Sequence, residues 1–461
     1  MDTQQHTQAR AQKRRGKYFS QQGVALLAVA VATGLTGVLV AEFSTNTNVD
    51  MFASYNARDD MKLHFLARSG MNLSQLIVRV QTEILDKPNV RQMVGDLQLS
   101  DYSSMFMGAF GGSKEELEGV AAMLGGFAAR DMKGLGVPEG RFDVRFTTED
   151  NKINLNCAGG SDRARDNLYA QLVNLFFPRG YDAIFQNEDA EGWRRDRETQ
   201  AAAIIDYIDS GSNRYVFQDT RGTGPEDYGY EGLRDKYKAK DTYVDSAGEL
   251  RQIRGVDDRF LSLFGDAFTV YGGCKLNMDA VEDPMVIAMV IAASAKESVK
   301  ADLTIFNDVN ILTHAQLVIA ARGLGFTFSG QNERESRKAF ADFVADPKAK
   351  LEEYFQAGGG HGGGQPVNIP QEFQNLLMAV QVGLELDDTL LEGVATAGPR
   401  RTYRIESFAA IGDDDSPHQL TKRIVGVWDT KAPPPQNTRA PGNEDVTGRT
   451  GFGAWVFWRE D

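Results

Sequence analysis

Residues Val24–Ala41, VALLAVAVATGLTGVLVA, carry no charge and follow directly on a basic, polar stretch, MDTQQHTQARAQKRRGKYFSQQG. Eighteen such residues sit at the lower limit for crossing a bilayer as a helix, for which roughly 20 are typical. Arg10, Lys13, Arg14, Arg15 and Lys17 all precede the apolar run. By the positive-inside rule they place the N-terminus in the cytoplasm and the bulk of the chain across the membrane. No small-residue site of the secretory-signal type follows the apolar core. One reading of the junction is an uncleaved signal anchor.

A large exported body suits the rest of the composition. At 461 residues the chain is long enough for two or three domains, since one core rarely serves more than about 250–300 residues. Net charge is −14; five basic residues and Asp2 give the first 23 residues +4, which leaves −18 for the remainder. An acidic body repels phosphate backbones, so nucleic acid is not the expected partner. The two cysteines, Cys157 and Cys274, are able to pair in an oxidising compartment or to stay as two buried thiols.

Leu63, Leu66, Gly70, Leu73, Ile77, Val80 and Ile84 recur at steps of three and four, one face of a helix. The helix is predicted from Val24 to Asp86, stopped near Pro88, first a membrane anchor and then the spine of a soluble domain. A capping box at Ser113 and Glu116 opens a short helix. RFDVRF (141–146) and KINLN, joined by the turn residues Glu149, Asp150 and Asn151, are expected to form a β-hairpin. KINLNCA (152–158) and KLNMDA (275–280) form a weak internal repeat, in which Asn156 and Asp279 are placed to cap a helix or shape a turn. AGGGHGGGQP (357–366) is a linker by composition, and RTYRIESFAAI, LTKRIVGVWD and GAWVFW are three further strands.

Gly23 before an apolar helix resembles a type IV prepilin leader, which a peptidase cuts after the glycine, here between Gly23 and Val24. The series QQGVALLAV, LARSGMNLSQLIV, FTTEDNKINLN, IIDYIDSG, GPEDYGY, SAGELRQIRGV and CKLNMDA resembles the general secretion pathway protein K family, the large minor pseudopilins of type II secretion. The match rests on order and spacing from Gly23 to about Ala295. It implies an α+β, pilin-like fold: a long N-terminal transmembrane and spine helix packed on an antiparallel sheet, with a large inserted all-helical domain. The expected divisions are a cleaved leader (1–23), the helix (24–88) and a first part of the pilin-like domain (89–158). An inserted helical domain follows (159–268), then a return to the pilin-like domain through FTVYGGCKLNM with a helical extension (269–356). The linker (357–366) and the C-terminal part of the sheet (367–461) complete the chain.

Function follows as expectation. Most pilins and pseudopilins carry a glutamate five residues after the cut, paired with the α-amine of the subunit above; here that residue is Ala28. A carboxylate at the centre of a membrane helix costs roughly 2.5–3.5 kcal/mol, so it is kept where it has a partner. A subunit at the tip has none above it. The resemblance implies a non-enzymatic inner-membrane protein, its bulk periplasmic, that caps and helps initiate a pseudopilus. Implied partners are two smaller minor pseudopilins in a tip complex, the major pseudopilin, the inner-membrane assembly platform and the prepilin peptidase, with methylation of Val24. It also implies calcium. Candidate oxygen ligands are Asp206, Asp209, Glu226 and Asp227, with Asp413, Asp414 and Asp415 as a second group; solvated loop charge is the plain alternative for each. GELRQIRGV (248–256) is similar to a helix-hairpin-helix unit, which supports the runner-up, a type IV or competence pilus protein that handles DNA. Five histidines stand in no metal or triad spacing, and there is no G-x-S-x-G or P-loop, so no enzyme is expected.

Overall fold

A computed structural model describes residues 3–87, 90, 97–103, 140–186, 196–218, 224–226, 230, 235–328, 330, 332–356, 371–380, 382–412, 419–432 and 453–461, with side chains from Gly23 onward. Pro88, Ser113, Glu116, Asp227, the 357–366 segment and Asp413, Asp414 and Asp415 lie outside the described residues.

Helix α1 runs unbroken from Thr3–Val80 and closes through one wider, π-type turn, Gln81–Leu85. From Gly23 to Arg58 its side chains are exposed, and its second half lies on a four-stranded antiparallel sheet. The strands are β1 (Gly140–Thr148), β6 (Thr402–Ile411), β7 (Leu420–Asp429) and β8 (Ala454–Glu460), in that order. One core fills the interface. Leu63, Leu66, Ala67, Met71, Ile77 and Val78 of α1 meet Phe142, Val144, Tyr403, Ile405, Ala409 and Ile424. The buried face drifts from the expected stripe: Ile84 is exposed, and Ser74 and Gln81 are buried in its place. Gln81 can be buried because its amide is satisfied, donating to the Leu97 carbonyl at 3.1 Å and the Asp86 carboxylate at 2.8 Å while accepting from the Leu99 N–H at 2.8 Å. It thereby ends the helix by holding the returning chain.

Gly70 sets how closely α1 approaches the sheet. A Cβ there would collide with Ser407 Oγ and sit 3.0 Å from Val144 Cγ2 and 3.1 Å from Phe142 Cδ2. We expect Gly70→Val to cost about 1–3 kcal/mol by overpacking. Gly34→Val, in open surroundings, is the control that leaves thermal stability unchanged. Equal melting temperatures for the two variants would show that the helix is free to slide off the sheet.

The expected hairpin does not form. β1 pairs with β6, Thr148 lying opposite Tyr403, and the chain between them, 149–401, leaves and rejoins the sheet at neighbouring points. KINLN instead supplies β2 (Ile153–Asn154), which pairs in parallel with β3 (Phe268–Thr269); β4 (Leu276–Asn277) pairs in parallel with β5 (Ala395–Thr396). FTVYGGCKLNM therefore belongs to the body, not to the four-stranded sheet, which the chain rejoins at Thr402. The reason is burial: Ile153, Phe268, Leu276 and Ala395 all sit within one body core. That core is completed by α2 (Asp162–Phe176), α3 (Arg197–Ile208), α4 (Asp258–Phe264), α5 (Pro284–Ser294), α6 (Asp308–Gly323), α7 (Glu333–Ala345), α8 (Pro347–Gln356), α9 (Gln371–Ala379) and α10 (Asp388–Val394). The protein is thus pilin-like, a long helix on an antiparallel sheet, enlarged by a mostly helical body.

The internal repeat is real in structure, with different roles for its polar residues. Asn154 Oδ1 accepts from Asn156 N–H at 3.0 Å, and Asn277 Oδ1 accepts from Asp279 N–H at 3.1 Å, so these asparagines shape the turns. Asn156 stitches the body together instead, through Val244 N–H and the Val244 and Val270 carbonyls, and Asp279 accepts from Phe328 N–H. Cys157 and Cys274, beside β2 and β4, are joined in a disulfide with Cα atoms 5.7 Å apart.

Candidate functional site

Two places collect the expected functional residues. The first is α1 itself. Gly23, Val24 and Ala28 lie in helix, exposed, and among the described residues this is the one helix long and apolar enough to cross a membrane. No charged side chain interrupts Val24–Ala41, so Ala28 leaves the lower half of the span wholly apolar.

The second is an acidic locus at the end of α3. Asp196 caps the helix start, accepting from Thr199 N–H at 2.7 Å, and Ile204, Ile205 and Ile208 bury one side. This leaves Asp206 and Asp209 at the C-terminal end, where a helix dipole disfavours carboxylates. Asp206 accepts from Tyr215 N–H at 2.6 Å; Asp209 accepts from Gly211 N–H at 3.1 Å and faces Arg165 at 3.4 Å. Glu226 arrives from a second loop, held by the Arg214 N–H to Gly224 carbonyl bond and the Asn213–Pro225 bridge; Gly224, at φ +87°, permits the turn.

Burial dominates the electrostatics. It pushes the Asp206 carboxyl up to about 7, against the pull of the Tyr215 N–H, with the Asp209 charge adding to the rise. It pushes Glu226 up to about 8, reinforced by a hydrogen bond with the Asp241 carboxyl and by the charges of Asp241, Asp209 and Asp206. Asp209 is raised too, chiefly by burial, with Gly211 N–H and Arg165 opposing. Asp241 is the member that sequence reasoning missed. It is held at φ +52°, an uncommon conformation for a residue with a side chain, by its N–H bond to the Tyr207 carbonyl at 3.2 Å. Such held strain collects at functional sites, but nothing in GLRDKYKAKDTYVDS distinguishes Asp241 from its polar neighbours.

These residues fit a hard cation in kind. Glu226 Oε2 is buried without a hydrogen-bond partner, and the place a Gly211 Cβ would take lies 3.1 Å from Asp209 Oδ1 and 3.6 Å from Glu226 Oε2. The glycine keeps that gap open. Among the described residues, no three Asp, Glu, His or Cys side chains converge as a ready set of ligands.

GELRQIRGV is absorbed by packing. Leu250, Ile253 and Val256 are buried, Ser246 and Glu249 form a capping box, and Arg251 pairs with Asp258.

No protein-family profile matches the chain, and no curated protein matches it. Among solved structures, the chain is similar to one in the crystal structure of the GspK-GspI-GspJ complex from the enterotoxigenic Escherichia coli type 2 secretion system. Sequence identity is 12% and the TM-score is 0.35, over 70% of this chain and 81% of that one.

Proposed function

We propose that this protein is a minor pseudopilin of a type II secretion system that caps, and helps initiate, the periplasmic pseudopilus. The observation that carries the reading is α1, a single helix that carries an uncharged, membrane-length apolar run after Gly23 and ends as the spine of a sheet domain. Prepilin peptidase cuts after Gly23; Val24 becomes the new N-terminus and is methylated. The span stays in the inner membrane and the body projects into the periplasm. Ala28 leaves no buried acid in need of a neighbour's amine, which suits the uppermost place in a filament. The bulk of 149–401 suits the same place, where it projects without crowding neighbours. Two smaller minor pseudopilins join it in a tip complex above the major subunit, on the assembly platform. Its role is structural, without catalysis or nucleic-acid binding.

Calcium belongs to the same proposal. Asp206, Asp209 and Glu226, with Asp241 and Asp227, would hold it, and its charge would neutralise carboxylates that otherwise keep their protons. Aspartates and glutamates of this kind supply the oxygen donors that calcium takes, typically about six to eight with carbonyls and water.

N-terminal sequencing of the protein recovered from membranes tests the core of the reading. The expected first residue is Val24; an intact leader in cells that contain the peptidase overturns it. Copies found along the shaft instead of at its end would overturn the capping role alone.

A further inference from the structure

We infer that the cavity between α2, α3 and the 211–217 segment binds a carbohydrate, a pyranose ring lying against an aromatic wall with its hydroxyls held by polar groups of the floor. The inference goes beyond the filament reading and does not depend on it.

The cavity holds about 500 Å³, within the span of about 300–1,000 Å³ usual for small-ligand sites. One wall is aromatic. Phe217 stacks on Tyr169 with ring centres 5.2 Å apart, and Tyr169 meets Tyr215 at 5.4 Å. The wall is built before any ligand arrives. Tyr215 is tied at both ends: its N–H donates to Asp206 at 2.6 Å and its hydroxyl to Asp166 at 2.5 Å. Asp166 also accepts from the N–H of Gln218 at 3.4 Å, which fixes the chain next to Phe217. Phe217 is thereby kept 43% exposed with its ring already in place, and a ligand that stacks there pays no ordering entropy for it.

The rest of the lining specifies the ligand. A strip of α3 from Glu198 through Thr199 and Ala202 to Asp206 lines the cavity, about 12 Å long at about 1.5 Å per residue, room for a short run of sugar rings. Glu226 and Tyr230 line it from deeper in the body, 7% and 2% exposed. Glu226 Oε2 closes no hydrogen bond, and neither does Tyr230 Oη, although the Arg254 backbone lies beside the tyrosine. Buried polar atoms left in this state are costly, and a ligand hydroxyl, at once donor and acceptor, satisfies either. Acids and arginines alternate around the cavity, Glu198, Asp206 and Glu226 with Arg214 and Arg254, so no single sign of charge selects an ion. An aromatic face beside mixed donors and acceptors matches a pyranose, whose C–H face stacks while the hydroxyls at its edge bond to polar groups. The aromatic wall and Tyr230 take no part in the calcium reading.

The test is titration calorimetry of the full-length protein in a phosphocholine detergent, which carries no sugar, with chelator present throughout. The probes are the β-1,4-linked tetramers of N-acetylglucosamine and of glucose, with tetralysine as the cationic alternative. We expect at least one tetrasaccharide to bind with a Kd below about 1 mM. Binding of the acetylated one alone identifies an amide-bearing glycan; binding of both identifies recognition through plain hydroxyls. Phe217→Ala, at an exposed position, should weaken binding about tenfold, and Tyr230→Phe, which keeps the ring, about fivefold. Phe177→Ala removes an exposed aromatic outside the cavity and should change nothing. Silence with both tetrasaccharides overturns the inference. So does tighter binding of tetralysine, which would make this a site for basic peptides, or binding indifferent to Phe217→Ala. An intact leader in cells sinks the filament reading and leaves this measurement untouched.

Discussion

Replacing Cys157 and Cys274 together by serine lowers the stability of the body by about 4–5 kcal/mol on the chain-entropy account, a fall in melting temperature on the order of 10 °C. The size comes from the 117-residue separation that the bond closes. It comes also from place. Cys157 follows β2 and Cys274 precedes β4, so the bond ties together two parallel ladders of two residues each, too short to hold register alone. Gln171 already spans the same seam, donating to the Cys274 and Val394 carbonyls at 3.2 Å each. Calorimetry of the full-length protein in detergent checks the prediction. A shift under about 2 °C would mean that side-chain packing alone fixes the seam.

The second large effect is a joint dependence on pH and calcium. Asp206 and Glu226 have folded pKa values of about 7 and about 8, above those of free carboxyls. A raised carboxyl favours the fold while it is protonated. That contribution is fully present below the unfolded pKa, near 4, and is lost as pH rises through 7 and 8. At about 1.4 kcal/mol for each tenfold gain in proton affinity on folding, discounted for coupling and solvent, the pair costs on the order of 3 kcal/mol between pH 5 and pH 9. We expect the melting temperature to fall over that range in chelator. Millimolar calcium should restore it at pH 8, because the cation replaces the missing protons. Asp206→Asn should flatten the apo profile, and Asp209→Ala should blunt the response to calcium. A flat profile for the native sequence would remove the acidic locus from the account. A sloping one indifferent to calcium would leave a proton-sharing cluster and no metal.

What the sequence disclosed was local. The apolar run, the spine stripe and the three last strands are each written in one continuous segment, where period and composition speak directly. What it concealed was pairing. RFDVRF and KINLN stand beside each other in sequence and look like a hairpin, yet the partner of Phe142 is Ala409. Strand register is decided by burial across the whole molecule, and a short run such as KINLN can serve any sheet that hides Ile153. The acidic locus was half legible. Asp206 ends a helix, and Asp209 and Glu226 sit in segments rich in glycine and acid, whereas Asp241 is recognised only by its backbone conformation and by Glu226 beside it. Ile84 misled for a simpler reason: the stripe stops where Gln81 turns the chain.

The near coincidence of the two ends of 149–401 has a mechanical consequence. Thr148 and Thr402 stand on hydrogen-bonded neighbouring strands, with Glu149 N–H bonded to the Thr402 carbonyl at 3.0 Å. A pull along the stalk is therefore taken up by the helix and its four strands, and the body rides as freight outside the line of tension. Such cargo can grow, shrink or be exchanged without lengthening the path that carries force.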